Sequence, residues 1–348
     1  MEHGGDVFSY EKYYKGQIVD YSSNINPLGM PESLMKELEE YYSAIVSYPD
    51  IEYRKLKKSI SKYLGCSRKN IVVGNGAVEI IDNFAQLFNR IIVFLPSFSE
   101  YEMRGEVHGK EVVKINLTKD FKIPIEKLKL TIRKGDLIFI GNPNNPTGLR
   151  LLEKELLDIY KVAREGQGFL FLDEAFFEFC PKDYDSIEIF KKYDYESVAI
   201  IRAATKFFAL PGLRLGYGCT SLDIVEEYNE IKLPWSINAM ADGAGRYIFN
   251  CKDYIKKSKD YIDSERKFLL NSLLEIEEFK VFPTDTNYIL IKLLKWDEEF
   301  VFQHMLERGF LIRKCSSFEG LDGSYIRIAI KNRENNEKLL KAFKELER

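Results

Sequence analysis

Short β-branched and aromatic runs, each stopped by turn-forming residues and most followed by a stretch with helical spacing, constrain this chain more than any other feature. Ile71–Val73 passes through Gly74-Asn75-Gly76 into the apolar-periodic stretch Val78 to Phe88. Ile91–Leu95 stops at Pro96. Leu137–Ile140 runs into the turn-rich segment Gly141-Asn142-Pro143-Asn144-Asn145-Pro146-Thr147-Gly148, and a helical pattern follows from Glu153 to Arg164. Phe169–Leu172 stops at Asp173, and Val198–Ile201 leads towards Thr205-Lys206. Apolar runs of this length without polar alternation read as strands buried on both faces. Interleaved with helices, they predict an α/β fold with a mostly parallel sheet covered on both sides.

After about residue 235 the texture changes. A long polar helix is expected from Lys252 to Leu274, strands near Tyr288–Ile291 and Tyr325–Ile330, and helices at Glu298–Arg308 and Arg333–Glu345. These predict a smaller α/β domain. The expected division is a large domain over 45–235, with an N-terminal arm over 1–44 joining 236–348. A chain of 348 residues has room for both cores. A net charge of −3 argues against a nucleic-acid or anionic-membrane partner. No run approaches the roughly 20 apolar residues of a membrane helix, and the first residues lack the apolar core of a signal peptide. Cys66, Cys180, Cys219, Cys251 and Cys315 are far apart and show no CxxC spacing. Free thiols in a reducing cytoplasm are therefore expected. His3, His108 and His304 are too scattered for a metal site, and none is expected.

In open α/β sheets ligands sit beyond the carboxyl ends of the strands, and four features fall there. Gly74-Asn75-Gly76-Ala77 opens a helix, whose first N–H groups and dipole suit a phosphate; without a following GK[ST] it is not a nucleotide P-loop. Asn142–Gly148 is a rigid turn rich in Pro and Asn. Asp173-Glu174-Ala175-Phe176 puts a carboxylate at the end of a buried strand, where it needs a salt bridge or a ligand cation. Lys206 is one of 51 Lys and Arg residues, most of which are solvated charges, but it lies among apolar residues after a strand. Burial lowers a lysine's pKa and makes the amine nucleophilic. Arg214, nearby in Pro211-Gly212-Leu213-Arg214-Leu215-Gly216, suits bidentate recognition of a phosphate.

The order of glycine turn, NPNNPTG, DEAF and TKFFALPGLRLGYG, spread over more than a third of the chain, resembles the aspartate-aminotransferase-like enzymes of pyridoxal-phosphate (PLP) fold type I, in the histidinol-phosphate aminotransferase branch. The resemblance implies PLP as cofactor and Lys206 as the lysine that carries it. Asp173 pairs with the pyridine nitrogen, Asn145 bonds the ring oxygen, and Phe98 of Pro96-Ser97-Phe98 stacks on the ring. Gly76, Ala77 and Arg214 hold the cofactor phosphate. Tyr48 of Tyr48-Pro49-Asp50 reaches that phosphate from the partner subunit, which implies a homodimer. Arg327 of Tyr325-Ile326-Arg327 binds a substrate carboxylate. Two positions depart from the pattern: Phe176 replaces a frequent Tyr, and Ala203 a frequent Ser or Thr. Thr205 is the candidate to replace the lost phosphate contact.

Which bond at the substrate's Cα breaks depends on which one stands perpendicular to the cofactor ring, so substrate-facing residues decide the reaction. His3-Gly4-Gly5, Tyr21-Ser22-Ser23-Asn24-Ile25-Asn26-Pro27-Leu28-Gly29-Met30, Pro234-Trp235-Ser236-Ile237-Asn238, Ile312-Arg313-Lys314-Cys315 and Phe318-Glu319-Gly320-Leu321-Asp322 are similar to the threonine-phosphate decarboxylases. This resemblance implies decarboxylation of L-threonine O-3-phosphate to aminopropanol phosphate for cobalamin synthesis. His3, Asn24 and Arg313 would then hold the substrate phosphate, with Arg327 and Asn145 on the carboxylate. Histidinol-phosphate transamination is the alternative. A non-catalytic PLP-binding regulator is a third reading, against which no helix-turn-helix or basic extension is visible.

Overall fold

The structure, a computed structural model, describes residues 4–346. Strands are numbered in chain order. The first, β1 (Val19–Asp20), belongs to a small separate pairing described below. The main sheet contains β2 (Ile71–Asn75), β3 (Arg90–Leu95), β4 (Glu111–Asn116), β5 (Asp136–Gly141), β6 (Phe169–Asp173), β7 (Val198–Ala203) and β8 (Leu215–Cys219). Their spatial order is β2-β8-β7-β6-β5-β3-β4, and β8 alone runs against the others.

Alternate residues of these strands enter two different apolar layers. Val73, Ile92, Ile138, Leu170, Leu172 and Ile200 face one, with the helices Arg54–Leu64, Glu153–Glu165 and Lys252–Leu273. Val72, Ile91, Val93, Phe139, Phe171 and Ile201 face the other, with the helices Ala77–Leu87 and Leu222–Ile231. The uninterrupted apolar runs of the sequence are thus explained by a sheet with no wet face. Each such side chain contributes about 1.5–3 kcal/mol on burial.

The predicted strands form, and the predicted helices agree with the observed ones to within two residues at their ends. In the main sheet β4 and β8 have no counterpart among the predicted strands, and outside it neither do the short strands at 19–20, 279–281, 310–311 and 313–314. The sheet-edge strand β4 mixes exposed residues (Glu111, Lys114 and Asn116) with half-buried Val112 and Val113 and buried Ile115, so it lacks the continuous apolar run of the central strands. In β8 two glycines hide the strand signal, and packing explains both. A Cβ at Gly218 would lie 2.1 Å from the Ile200 carbonyl oxygen, and one at Gly216 2.5 Å from the Ala77 nitrogen.

A four-stranded antiparallel sheet combines β9 (Phe279–Val281), β10 (Tyr288–Leu293), β12 (Arg313–Lys314) and β13 (Tyr325–Ala329) in the order β12-β13-β10-β9. Strand β11 (Phe310–Leu311) instead pairs in parallel with β1, which ties the start of the chain to this region. No helix among the described residues is long and apolar enough to cross a membrane.

Candidate active site

Because β2, β3, β5, β6 and β7 point the same way, their carboxyl ends share one edge of the sheet. The reversed β8 begins at that same edge, directly after Arg214. A cleft of about 260 Å³ opens there, lined by Ala77, Phe98, Asn145, Asp173, Thr205, Lys206 and Arg214 from the sheet edge. Gly4, Ser22, Asn24, Arg313 and Arg327 line it from the opposite side.

Lys206 lies in the turn after β7, and its backbone carbonyl accepts from the Asn26 N–H at 3.0 Å. Its side chain keeps a partial opening to the cleft, with Nζ 5.8 Å from the Phe176 ring centroid. Burial pushes the amine down to about 8, and the Arg327, Lys331 and Arg214 cations reinforce this while Asp20 opposes it. A larger share of Lys206 is therefore the neutral, nucleophilic amine at neutral pH than for an exposed lysine.

Asp173 ends β6 and is buried. Burial raises its carboxyl pKa. Opposing that, the Tyr101 hydroxyl donates to Oδ2 at 2.8 Å, the Ala175 N–H donates to Oδ1 at 3.0 Å, and the Lys206 charge attracts it. The neighbouring Glu174 serves the fold: Arg202 donates to it at 2.9 Å and Asn142 at 3.3 Å.

At the other end of the sheet edge, the eleven-residue helix Ala77–Leu87 starts from Gly76, whose φ of +78° is open to glycine and strained for other residues. The Arg214 guanidinium packs directly on Gly76, where a Cβ would lie 2.4 Å from Nη2. Helix N–H groups and a guanidinium thus converge on one point, a combination suited to a phosphate.

On the opposite side, Arg313 and Arg327 are register partners on the antiparallel strands β12 and β13, and both are buried. Directly opposed like charges are destabilising. Burial, with the Arg313 charge among the smaller contributions, pushes the Arg327 guanidinium down to about 10. Its hydrogen-bond partners are neutral: Nη1 donates to Asn145 Oδ1 and Nη2 to the Ser22 carbonyl at 2.7 Å, while Nε has no partner. Arg313 donates to Ser317 Oγ at 2.6 Å and lies over the Phe318 ring. Asn24 is buried with an unpartnered Oδ1. Two cations and unsatisfied polar atoms in one cleft suit an anionic ligand.

Every sequence-predicted residue within the described range comes to this cleft or its wall except Tyr48. That residue is 80% exposed and stacks with Trp235 at 4.7 Å, away from the cleft of its own chain. His3 lies outside the described residues; Gly4 lines the cleft, and the Gly5 N–H donates to Ser22 Oγ at 2.7 Å. Sequence reasoning missed Tyr101 and Asp20. The Asp20 carboxylate accepts from Ser22 N at 2.8 Å, Ser22 Oγ at 2.6 Å and Ser23 N at 3.1 Å, and so shapes the segment that meets Arg327. Its acid-x-Ser spacing was the available signal, since this is the pattern of an Asx turn. No local signal marks Tyr101.

The family model for class I and II aminotransferases matches residues 16–343. The chain belongs to that family. A Caldanaerobacter subterraneus protein provisionally named threonine-phosphate decarboxylase is 39% identical over 99% of this chain and 94% of its own length. The crystal structure of the histidinol-phosphate aminotransferase from Clostridium acetobutylicum superposes with a TM-score of 0.90 at 38% identity, covering 94% of this chain and 98% of that one. That of L-threonine-O-3-phosphate decarboxylase from Porphyromonas gingivalis gives 0.84 at 25% identity, covering 95% and 100%. Its fold is that of the aspartate aminotransferases, and its cofactor is pyridoxal 5′-phosphate. The cleft fits that group. It offers a depressed-pKa amine for the aldehyde, a buried carboxylate for the ring nitrogen, an aromatic face, and a helix start with a guanidinium for the phosphate.

Proposed function

We propose that this enzyme decarboxylates L-threonine O-3-phosphate to aminopropanol phosphate and CO2 for cobalamin synthesis. The observation that carries this reading is the opposed pair Arg313 and Arg327, buried side by side at the mouth of the cofactor cleft. A substrate bearing both a carboxylate and a phosphate presents one anion to each guanidinium. Arg327, aimed by Asn145 and Ser22, takes the carboxylate; Arg313, with Asn24 and the His3–Gly5 arm, takes the phosphate. The full-length similarity to the Caldanaerobacter protein supports the same choice.

Bound PLP supplies a protonated ring system that accepts the electron pair freed at the substrate's Cα. The chain's own residues do the rest. Asp173, held by its two donors, would face the ring nitrogen. Lys206 would carry the cofactor, and its Nζ would hold a proton within the cleft. Arg327 and Asn145 would hold the substrate carboxylate, and its placement would decide which bond at Cα breaks. CO2 leaves, and Cα takes a proton, with Lys206 Nζ as donor.

We also propose a homodimer. Ile45, Val46, Tyr48 and Trp235 form an exposed apolar patch, which a second copy would cover while bringing Tyr48 to the partner's cofactor phosphate.

Transamination of histidinol phosphate is the second reading, favoured by the likeness to the Clostridium enzyme. One experiment separates the two. Purified protein is given threonine phosphate, or serine phosphate, with CO2 and the amino-alcohol phosphate measured. In parallel it is given histidinol phosphate with 2-oxoglutarate, and glutamate is measured. CO2 from the first substrate supports the decarboxylase. Glutamate from the second without CO2 from the first overturns it. Serine phosphate is expected to turn over as well, because one methyl group discriminates by only about 1–3 kcal/mol.

A further inference from the structure

Asp173 does not stand alone at the end of β6. Its Oδ2 accepts from the hydroxyl of Tyr101, which lies 72 positions earlier in the first turn of the helix Glu100–Val107. Tyr101 is 2% exposed, and its ring is held on two sides. It stacks on Phe139 of β5 with centroids 5.1 Å apart and planes 7° from parallel. It meets the edge of Phe98 at 5.7 Å and 87°, and its backbone N–H donates to the Phe98 carbonyl at 3.2 Å. One side chain therefore touches both the residue expected under the cofactor ring and the carboxylate expected on its nitrogen.

We propose that Tyr101 is a positioning residue for the cofactor: its hydroxyl fixes the orientation of the Asp173 carboxylate that would meet the pyridine nitrogen, and its ring fixes the position of Phe98. This rests on the assignment of PLP to the cleft. A lone buried carboxylate rotates about χ2 and draws a proton when no charge faces it. Here Tyr101 holds one oxygen and the Ala175 N–H the other, so rotation would cost both bonds. Lys206 and Tyr288 are the other titratable groups that influence or feel this carboxylate. Neither hydrogen-bonds it, and the lysine is the group committed to the cofactor. Tyr101 donates without carrying a formal charge, which leaves the negative charge of Asp173 available to the pyridinium.

The test measures binding, not turnover. Apoprotein is prepared from the wild type, Tyr101→Phe, Asp173→Asn and the double variant, and the Kd for PLP is measured by equilibrium dialysis. Tyr101→Phe keeps the ring and its stack, and the melting temperature of each apoprotein reports the fold. A hydrogen bond to a charged group is worth about 1.5–3 kcal/mol, so Tyr101→Phe is expected to weaken PLP binding about tenfold or more. In the Asp173→Asn background the same change is expected to alter Kd by less than about twofold, because the charge it orients is gone. Wild-type affinity in Tyr101→Phe overturns the proposal. So does a loss that persists undiminished in the Asp173→Asn background, since that would mark Tyr101 as a packing residue only. A wild-type chain that fails to bind PLP fails the cofactor assignment itself, an outcome distinct from either.

Discussion

The two walls of the cleft are built on different plans. The wall that faces the cofactor is one sheet edge: five strands point at it, and each delivers its residue at its own end or within a few positions beyond it. Its key anion, Asp173, is already held by two internal donors. The facing wall is assembled from chain segments far apart, since Arg327 meets the Ser22 carbonyl across 305 positions and Asn145 across 182. It leaves Arg327 Nε and Asn24 Oδ1 without partners. The first wall is preorganised for a resident group. The second holds unsatisfied hydrogen-bonding capacity, as the proposed exchange of substrate and product would require.

The contrast makes graded predictions. The largest effect is expected at the point where the two walls serve one reaction: Lys206→Ala should abolish turnover, and steady-state CO2 release with PLP in excess measures it. A non-catalytic PLP-binding protein would keep its binding partner in that variant. Next, Arg327→Ala should raise KM for threonine phosphate at least about 30-fold, in line with about 2–5 kcal/mol for removing a buried charged partner. PLP affinity should stay within about threefold of wild type; if both fall together, the walls are not separable. A smaller effect of the opposite kind is expected from Gly76→Ala. Strain at this φ and a displaced Arg214 cost about 1–3 kcal/mol, so the Kd for PLP should rise about tenfold while KM of the loaded enzyme barely moves.

The smallest effect is a titration. Burial and the Arg327 charge both depress the Lys206 amine, to about 8. Removing that cation in Arg327→Met should move the midpoint of amine labelling in the apoprotein upwards, and a downward or absent shift would refute the coupling. The sign for stability follows. Below about pH 8 folding bears the full cost of a charged, desolvated Lys206. The cost is relieved as pH rises towards the ordinary lysine value.

The same division explains what could be read from the chain. Glycine turn, NPNNPTG, Asp173 and Lys206 each follow a strand within a few residues, so a strand-by-strand reading places them at one edge. Arg313 and Arg327 were found through resemblance, and their opposition depends on the register of β12 with β13, which no local pattern encodes. Tyr101 was invisible because its partner is set by helix placement over the sheet. Strand β8 was overlooked because its glycines, needed for close packing on Ile200 and Gly76, carry no strand propensity.

Ser22 gives the substrate wall a further property. Its Oγ takes the N–H of Gly5 and its carbonyl takes Arg327, so one residue is shared between the N-terminal arm and the Arg327 guanidinium. If Arg327 takes the substrate carboxylate as proposed, any factor the arm adds to substrate affinity would be returned by bound substrate to the arm, because linkage is reciprocal.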